Sequence, residues 1–522
     1  MKKRNKLYTI AGAFALLTSS LLPTSCGSDY LSVSSGGQIE QDGVYSNTTS
    51  IRYAVNGLAR MMSQQYKDVK WNGEGSIKTW YGNFLGNDYL RNNYTALAPI
   101  VNGNYMQDPT SQYDVYPWYY YYKLISNANP IILHTDAASG DLQDKQLLKA
   151  QALTYRAYSY MMLVQFYAKR WSDSGNGASS GVALRLDEGK GDLPLSTLAD
   201  CYKQIYSDLD LAIDLYQKSG KQRAKGDCYL PSLNAAYAVY ARAALNREDW
   251  ENARKYAQLA REGYPLMSNE EYKDGGFNTA NPEWIWSVYS DEQESIYYYQ
   301  FFASEGSNTN YSSYLNRAAG ISKELYKQIP ASDIRREMFL DPKSDAYTAS
   351  NNYGGAALKA RAFAEYGSKL NAKTGIFAYM QFKQQAKILP GIGEVHLFRS
   401  AEMYLIEAEA DCHLNKEGEA QQLLIALNKD SGRDPEYTCT KTGSELLEEV
   451  RLYNRIELWG EGHDWFNLKR WGLPIERHTA AQGGSFPSQF AITVQPEDKN
   501  GWTWIIPSME TDFNPAIDKS LE

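Results

Sequence analysis

Residues 455–472 read RIELWGEGHDWFNLKRWG, the most specific stretch of the chain, with four aromatic residues and three glycines. Its large apolar side chains recur at the spacing of a helix, which gives one helical face an aromatic surface. These residues are Trp465, Phe466, Leu468 and Trp471. We therefore expect a C-terminal helix that this face attaches to the rest of the fold.

The same stretch contains three residues that could support acid–base chemistry, namely Glu461, His463 and Asp464. They lie between or beside glycines at the end of a predicted helix. Glycines in that position are typical of a turn. We therefore interpret the three residues as structural rather than catalytic.

Helical periodicity continues upstream in segments that can pair as helix-turn-helix units. Small residues recur in residues 232–246 and 249–262, and a second pair is predicted at 399–414 and 417–429. Small residues at this spacing allow close helix contact, as in tetratricopeptide units. Further helices are predicted near 51–62, 118–134, 144–168 and 197–218. Since no strict repeat runs through the chain, the sequence predicts a divergent, mostly α array with few short strands.

Two long stretches lack this periodicity. Residues 67–117 are rich in Asn, Gly and Tyr, and residues 264–398 are irregular and aromatic apart from a strand-like alternation at 284–288. Long loops on a rigid helical scaffold are where binding sites usually lie. We expect a ligand site to be built from these stretches.

Composition narrows the possible functions. The chain has 53 Lys and Arg against 61 Asp and Glu, a net charge of −8, and no strongly basic segment beyond its first six residues. Because phosphate binding needs a clustered positive field, nucleic acid is not expected as a partner. The chain also has 42 Tyr but only 15 Phe. Tyr combines a flat apolar face with a polar tip, which suits stacking on sugars; a compositional habit of the source proteome would produce the same excess.

The N-terminus has the pattern of a secretory signal, predicted over residues 1–25. Four basic residues precede an apolar run to Leu22, and Thr24 and Ser25 lead into Cys26. A cysteine directly after the cut predicts lipidation, with residues 26–49 as a tether and the lipid chains as the membrane anchor. Pro23 stands where a lipoprotein signal usually has Leu, so ordinary cleavage with Cys26 unmodified stays an alternative.

Motifs for catalysis, metals or cofactors are weak. Residues 177–181 match GxSxG, but they lack the preceding strand and following helix that a nucleophile elbow needs. The five histidines show no zinc-like spacing, so no metal and no cofactor is expected. A glycosidase needs two carboxylates about 5 to 10 Å apart, a pair that sequence cannot locate. Four later cysteines are widely spaced, and a bridge such as Cys201–Cys228 stays open, as does any pairing of Cys412 or Cys439.

Taken together, four stretches resemble the SusD/RagB family of nutrient-uptake outer-membrane lipoproteins. They are residues 26–31, 118–130, 398–410 and 455–472. The family signature commonly carries Arg where this chain has Asp464, and Asp where it has Asn467, so a local ion pair of the family is changed. The resemblance extends over essentially the whole mature chain.

The resemblance implies a SusD-like fold of about eight helices in tetratricopeptide-like pairs, with an irregular, loop-rich ligand-binding part and no catalytic activity. It divides the chain into a signal peptide (1–25), a lipidated tether (26–49), an N-terminal helical region (50–270) and a C-terminal region (271–522) whose last helices pack back. It also implies a lipid-anchored protein of the outer membrane, exposed at the cell surface, that delivers glycans to a SusC-like TonB-dependent transporter.

Ligand contacts are also inferred from the resemblance, because starch-binding members form an aromatic arc from three segments. The corresponding stretches here contain Tyr89, Asn92, Tyr94, Tyr297, Tyr299, Tyr311 and Tyr314. Each tyrosine could equally pack against its own loop. The Trp positions of the family fall near Tyr89 and Tyr311, so no Trp is retained there and starch itself is not the expected ligand. A peptide-capturing receptor of the same family and a surface glycoside hydrolase stay open as alternatives.

Overall fold

Helices with well-defined caps build most of the chain. A computed structural model describes residues 41–63, 65–66, 71–94, 98–224, 226–290, 300–309 and 318–518. The longer helices are α1 Thr48–Met61, α2 Gln112–His134, α3 Leu142–Tyr167, α4 Leu198–Ser219, α5 Leu233–Asn246, α6 Trp250–Arg261, α7 Ala356–Tyr366, α8 Ser400–His413, α9 Glu417–Ile425, α10 Gly443–Glu457 and α11 Asp464–Trp471. The expected count of about eight was too low, and α7 lies inside the stretch predicted to be irregular.

Shorter helical segments connect these helices. They are Gln41–Val44, Gly73–Ser76, Ala98–Val101, Asn104–Gln107, Trp171–Asp173, Asn269–Lys273, Phe301–Glu305, Lys323–Tyr326, Ile334–Met338, Gly367–Lys369, Ala480–Gln482, Pro496–Lys499 and Ser508–Thr511. Ile77–Asn83 and Ala426–Asp430 are π-helical. The first of these π-helical segments is fully buried and lies where loops were expected, so that expectation was wrong for residues 73–83.

Strands are few and short, as predicted. The main ones are β1 Tyr89–Arg91, β2 Trp284–Val288, β3 Ala319–Ile321 and β4 Val395–Arg399, with two-residue strands at Gln65–Tyr66, Trp71–Asn72, Tyr347–Thr348, Tyr353–Gly354, Ile475–Glu476 and Thr493–Val494. β1 pairs antiparallel with β3, and β2 pairs antiparallel with β4. Each pair therefore joins segments more than 100 residues apart in sequence.

Helix boundaries follow from local chemistry, as α4 illustrates. The side chain of Thr197 accepts a hydrogen bond from the backbone N–H of Asp200, which satisfies an orphan donor at the start of the helix. Gly220 ends the helix in the left-handed conformation (φ 62°), which suits a residue without Cβ. The observed bounds differ by one residue at each end from the predicted 197–218.

The helix pairs pack through small residues, and salt bridges between charged side chains connect neighbouring helices. α6 packs on α5 and also on α8 of the C-terminal half. Arg242 of α5 donates two hydrogen bonds of 2.7 Å to Glu402 of α8. Arg261 Nη2 of α6 lies 2.9 Å from the Glu407 carboxylate of α8. Residues 44–522 form one compact unit, within which the C-terminal helices lie against the first part.

The C-terminal signature lies at the centre of this packing. The Trp465 side chain is fully buried against Phe166 and Trp504, with ring centroids 5.8 and 6.4 Å away. Leu468 is also buried, whereas Phe466 and Trp471 are half-buried. A Cβ on Gly82 would lie 2.1 Å from the carbonyl oxygen of Gly462, so the π-helical segment and the signature turn meet backbone to backbone.

Candidate functional site

Two of the predicted ligand tyrosines lie in the core. Tyr89 is 2% exposed, and its ring stacks on Trp459 with centroids 5.4 Å apart. Tyr94 is 1% exposed and meets Phe490 edge-on at 4.6 Å. Neither ring face is open to solvent, so the expectation of an exposed stacking surface at these two positions is not met here. Both rings fill space between β1 and the C-terminal segments.

Of the five remaining predicted ligand residues, Asn92 lies within the part of the chain that the structure describes and four tyrosines do not. Asn92 is half-buried, and its Oδ1 accepts a hydrogen bond of 3.1 Å from Asn352 Nδ2. Asn352 also donates to the carbonyl of Ser485 at 2.7 Å. Asn92 is thus tied to a loop far along the chain. Tyr297, Tyr299, Tyr311 and Tyr314 lie outside the described residues.

In the structure, backbone segments that border each of the three predicted ligand-binding segments lie next to one another. β1 pairs residue by residue with β3, which begins just after residues 310–317. Arg91 of β1 donates to the carbonyl oxygen of Ser304 at 2.7 Å and to the Glu305 carboxylate at 2.5 Å. The helical turn Phe301–Glu305 follows directly on residues 291–299. We call β1, β3 and this turn the β1–β3 junction.

A small surface cavity of about 50 Å³ adjoins the junction. Phe301, Phe302 and Tyr289 provide its apolar lining, while Asn72 and Gln300 contribute amides. Neither atom of the Asn72 side-chain amide has a hydrogen-bond partner within the described residues, and the same holds for Oε1 of Gln300. A buried amide without a partner is costly, so these groups suit the hydroxyls of a ligand or of water.

The charged residues of the signature turn are held in a buried ion network. The Glu461 carboxylate accepts hydrogen bonds from Arg399, at 2.7 and 2.8 Å, and from Lys383, at 2.6 Å. His396 Nε2 lies 2.7 Å from the same carboxylate. Arg399 also donates to Glu457 at 2.7 Å. Every partner is buried, so the network joins β4 to the end of α10 and has no access to a substrate.

Electrostatics in this network follow from burial and charge. Burial alone would raise the pKa of Glu457, but the neighbouring Arg399, Arg433 and Arg335 guanidinium groups outweigh it and hold the pKa at about 2. Burial lowers the pKa of His396 to about 4, so its imidazole is neutral at pH 7. Glu457 and Glu461 are consequently ionised and satisfied. Such groups serve structure better than proton transfer.

Asp464, which departs from the family pattern, has a local role. Its Oδ2 accepts a hydrogen bond of 2.8 Å from the backbone N–H of Asp88, directly before β1. The Asp88 carboxylate in turn pairs with Arg455 at 2.6 Å and accepts from Ser322 at 3.1 Å. Burial, followed by repulsion from Asp88, raises the pKa of Asp464 to about 7. Asp464 and Arg455 therefore fix the start of β1 from the C-terminal side.

Glu74 is a second carboxylate with a pKa near neutrality. Burial raises the pKa of Glu74 to about 7, although Tyr158 donates to it at 2.9 Å. Glu74 lines an internal cavity of about 50 Å³ together with Lys78, Arg242 and His463. This space has room for a few water molecules but not for a sugar ring. No pattern in the sequence pointed to this cavity, because its residues come from distant segments.

Other chemistry is sparse in the part of the chain that the structure describes. No group of three or more His, Cys, Asp or Glu side chains there could hold a metal ion. The thiols of Cys201, Cys228, Cys412 and Cys439 are free, so the possible Cys201–Cys228 bridge is absent from this structure. Within the same residues, no helix has the length and apolar character that crossing a bilayer would demand.

Comparison with protein families gives two matches. The model of the SusD family matches residues 200–518. A second model, described as "Starch-binding associating with outer membrane", matches residues 34–245. A relative from Formosa agariphila, "SusD-like protein P38", is 23% identical over 442 residues, which are 76% of this chain and 80% of the relative.

Solved structures share the fold over nearly the whole chain. A SusD-like carbohydrate-binding protein from Bacteroides vulgatus superposes with a TM-score of 0.72 at 22% identity, covering 91% of this chain and 98% of its own. A SusD superfamily protein from Bacteroides thetaiotaomicron gives 0.70 at 21% identity, covering 90% and 99%. The mostly α architecture expected from the sequence is thereby confirmed.

Proposed function

The chain belongs to the SusD family, and from this premise we propose that it is a non-catalytic, cell-surface lipoprotein that binds glycans. In this proposal it captures oligosaccharides and passes them to a SusC-like TonB-dependent transporter of the outer membrane. Cys26 carries the lipid anchor after removal of residues 1–25, and residues 26–49 connect the anchor to the folded part. The chain needs no cofactor or metal for this role.

The β1–β3 junction is the observation that carries the proposal. Backbone pairing and the buried Arg91–Glu305 contact join the borders of three Tyr-rich segments into one rigid base. Beside this base, the Asn72 amide is buried without a partner among the described residues, next to the rings of Phe301 and Phe302. The rings of Phe301 and Phe302 are buried and the cavity of about 50 Å³ is too small for a sugar ring, so the junction supports the proposal as a rigid base and not as the sugar-contacting surface.

The positions of the titratable carboxylates support a role without catalysis. Hydrolysis of a glycosidic bond needs a carboxylic acid and a carboxylate on either side of a bound sugar. Glu74 has a pKa suited to an acid, but the cavity that it lines has a volume of only about 50 Å³. Glu457 and Glu461 are committed to buried cations. These placements support binding without cleavage.

Retention and product analysis test the proposal together. The purified mature chain is titrated calorimetrically with a panel of neutral and acidic oligosaccharides, and each mixture is then analysed for shortened products. Binding without cleavage is the expected result. Release of reducing ends would establish a hydrolase instead, and binding of peptides but of no glycan would establish the peptide-capturing alternative. Co-purification with an outer-membrane barrel from the native host tests the transporter partnership.

A further inference from the structure

A large cleft lies at the ends of helices α4, α5 and α6, and shares no lining residue with the cavity beside the β1–β3 junction. We call it the α4–α6 cleft; its walls are the loop from Gly220 to Leu233, the turn at Gly263 and the segment 280–284. Its volume is about 1070 Å³. Binding sites for small molecules commonly span ~300–1,000 Å³, so the cleft has room for an oligosaccharide.

The cleft is open along a wall of glycines. A Cβ added at Gly220, Gly226 or Gly263 would meet no atom within 4 Å. Tyr264 is half-buried in the lining and can present ring area to a ligand, whereas Trp284, which also belongs to the lining, is buried. The cleft is thus accessible and has an aromatic surface.

The charged side chains among the described lining residues are all basic. Lys221 and Arg223 line the cleft, and no Asp or Glu is among its described lining residues. Lys221 is neutralised by Asp144 at 2.7 Å and Asp141 at 3.1 Å. Arg223 is held differently, because its Nη1 donates to the carbonyl oxygens of Cys228 at 3.0 Å and Leu230 at 2.7 Å. These neutral acceptors position the guanidinium without cancelling its charge.

Helix dipoles next to the cleft do not oppose an anion strongly. The C-terminal end of α6 would be negative, but Asn234 Nδ2 donates to the carbonyl oxygens of Leu259, Ala260 and Glu262 at 3.1 to 3.2 Å. Asn234 belongs to the N-terminal turn of α5, whose free amides carry the positive end of that helix dipole.

We propose that the α4–α6 cleft binds anionic sugars, namely sugars with a carboxylate or a sulfate ester. Arg223 contacts the anionic group through Nε and Nη2, because both N–H groups of Nη1 are bound to carbonyl oxygens and Nη2 makes only a long contact of 3.5 Å with Cys228 Sγ. Tyr264 stacks on a sugar ring. The guanidinium geometry suits both anions, because each presents paired oxygens to its N–H groups. This site is additional to the glycan site proposed at the β1–β3 junction and does not depend on it.

Calorimetric titration of the mature chain tests the proposal with three probes of equal length: an oligogalacturonate, a sulfated oligosaccharide and a neutral oligosaccharide. We expect the acidic probes to bind, and raising the salt concentration to weaken them strongly. Arg223→Gln should weaken the acidic probes at least tenfold and leave neutral binding unchanged. Comparing the two acidic probes distinguishes a carboxylate from a sulfate ligand. Arg60→Gln, an exposed arginine outside the cleft lining, is the matched control.

A second variant protects the test against misfolding, since Arg223 also holds its own loop. Gln222 is exposed in the cleft lining, and Gln222→Glu adds a negative charge at the rim. This variant should weaken acidic probes while its circular dichroism matches that of the wild type. Equal binding of acidic and neutral probes, no acidic binding at millimolar concentration, or unchanged acidic binding in both cleft variants would overturn the proposal. Neutral glycan binding that persists in any of these cases leaves the proposed function standing.

Discussion

Removal of Arg91 tests whether the β1–β3 junction is the rigid base that the proposed function requires. The side chains of Arg91 and Glu305 are each 1% exposed and 2.5 Å apart. Arg91→Met leaves the Glu305 carboxylate buried without this cation. Breaking a buried ion pair from one side typically costs about 3–5 kcal/mol of stability, a large share of the ~5–15 kcal/mol that stabilises a domain. Because burial raises the pKa of Glu305, the carboxylate left without Arg91 takes up a proton, so we expect a loss at the lower end of this range.

A double-mutant cycle separates the ion pair from the loss of packing. Glu305→Gln alone should cost less than Arg91→Met, because Arg91 still donates to the backbone and side-chain oxygens of Ser304 at 2.7 and 3.1 Å. In the double variant neither charge is buried, so its loss should be smaller than the sum of the two single losses. We expect a coupling of about 1–3 kcal/mol.

The assay is equilibrium urea unfolding of the mature chain, followed by near-ultraviolet circular dichroism, with glycan titration of each folded variant. The exposed pair Lys218–Asp214 within α4 is the control, with an expected coupling of about 0–1 kcal/mol. If the Arg91 and Glu305 losses add without coupling, the two side chains do not act as a pair. Unchanged stability of Arg91→Met would refute the role given to the junction.

Further outcomes are expected from the structure and, for Tyr311 and Cys26, from the sequence. Because the pKa of Asp464 is about 7 in the folded chain against 3.8 as its ordinary value, the folded chain holds a proton that the unfolded chain releases between these values. The contribution of Asp464 to the free energy of unfolding should therefore fall by a few kcal/mol as pH rises from about 4 to 7. Asp464→Asn should show a smaller fall in urea midpoint than the wild type, and the fall that remains is expected from Glu74, whose pKa is also about 7. Tyr89→Ala should lose about 3–5 kcal/mol of stability in the same assay, since its ring is buried on Trp459. Tyr311→Ala should weaken glycan binding, measured by calorimetry, fivefold or more and leave helicity unchanged. Lys469→Met should cost about 1–3 kcal/mol, because the ammonium group caps the end of α3 through the carbonyl oxygens of Gln165 and Ala168, at 2.6 and 2.7 Å; an unchanged midpoint would contradict that cap. Cys26→Ala should release the protein from membranes in a fractionation assay, and a variant that stays bound with unchanged mobility would exclude the lipid anchor.

Local periodicity was sufficient to locate most of the helices. The predicted 144–168 and 232–246 correspond to Leu142–Tyr167 and Leu233–Asn246. Helical spacing of apolar residues is a property of neighbouring positions, and it survives in any tertiary context. Residues 73–83 were missed because they are buried on all sides, and a segment without a polar face has no periodicity to detect.

The candidate site shows the opposite situation. Sequence identified Tyr89 and Tyr94 as aromatic residues outside regular helices, but could not tell a ring exposed to a ligand from one buried in the core. That difference depends on Trp459 and Phe490, which cover the two rings from more than 300 positions away. The partner of Arg91 was equally beyond prediction, because Glu305 approaches it only once β1 has paired with β3.

The sequence by itself determined the signal-like N-terminus, the helical array and the family, because each of these is written in contiguous residues or in motifs of fixed spacing. The tertiary structure alone decided which tyrosines are buried, which carboxylates are paired with cations, and where open volume remains. Arg223 illustrates this, since its charge is significant only because the described residues that line the cleft include no Asp or Glu. Burial and electrostatic surroundings are sums over residues that are distant in sequence, and only the folded chain brings those residues together.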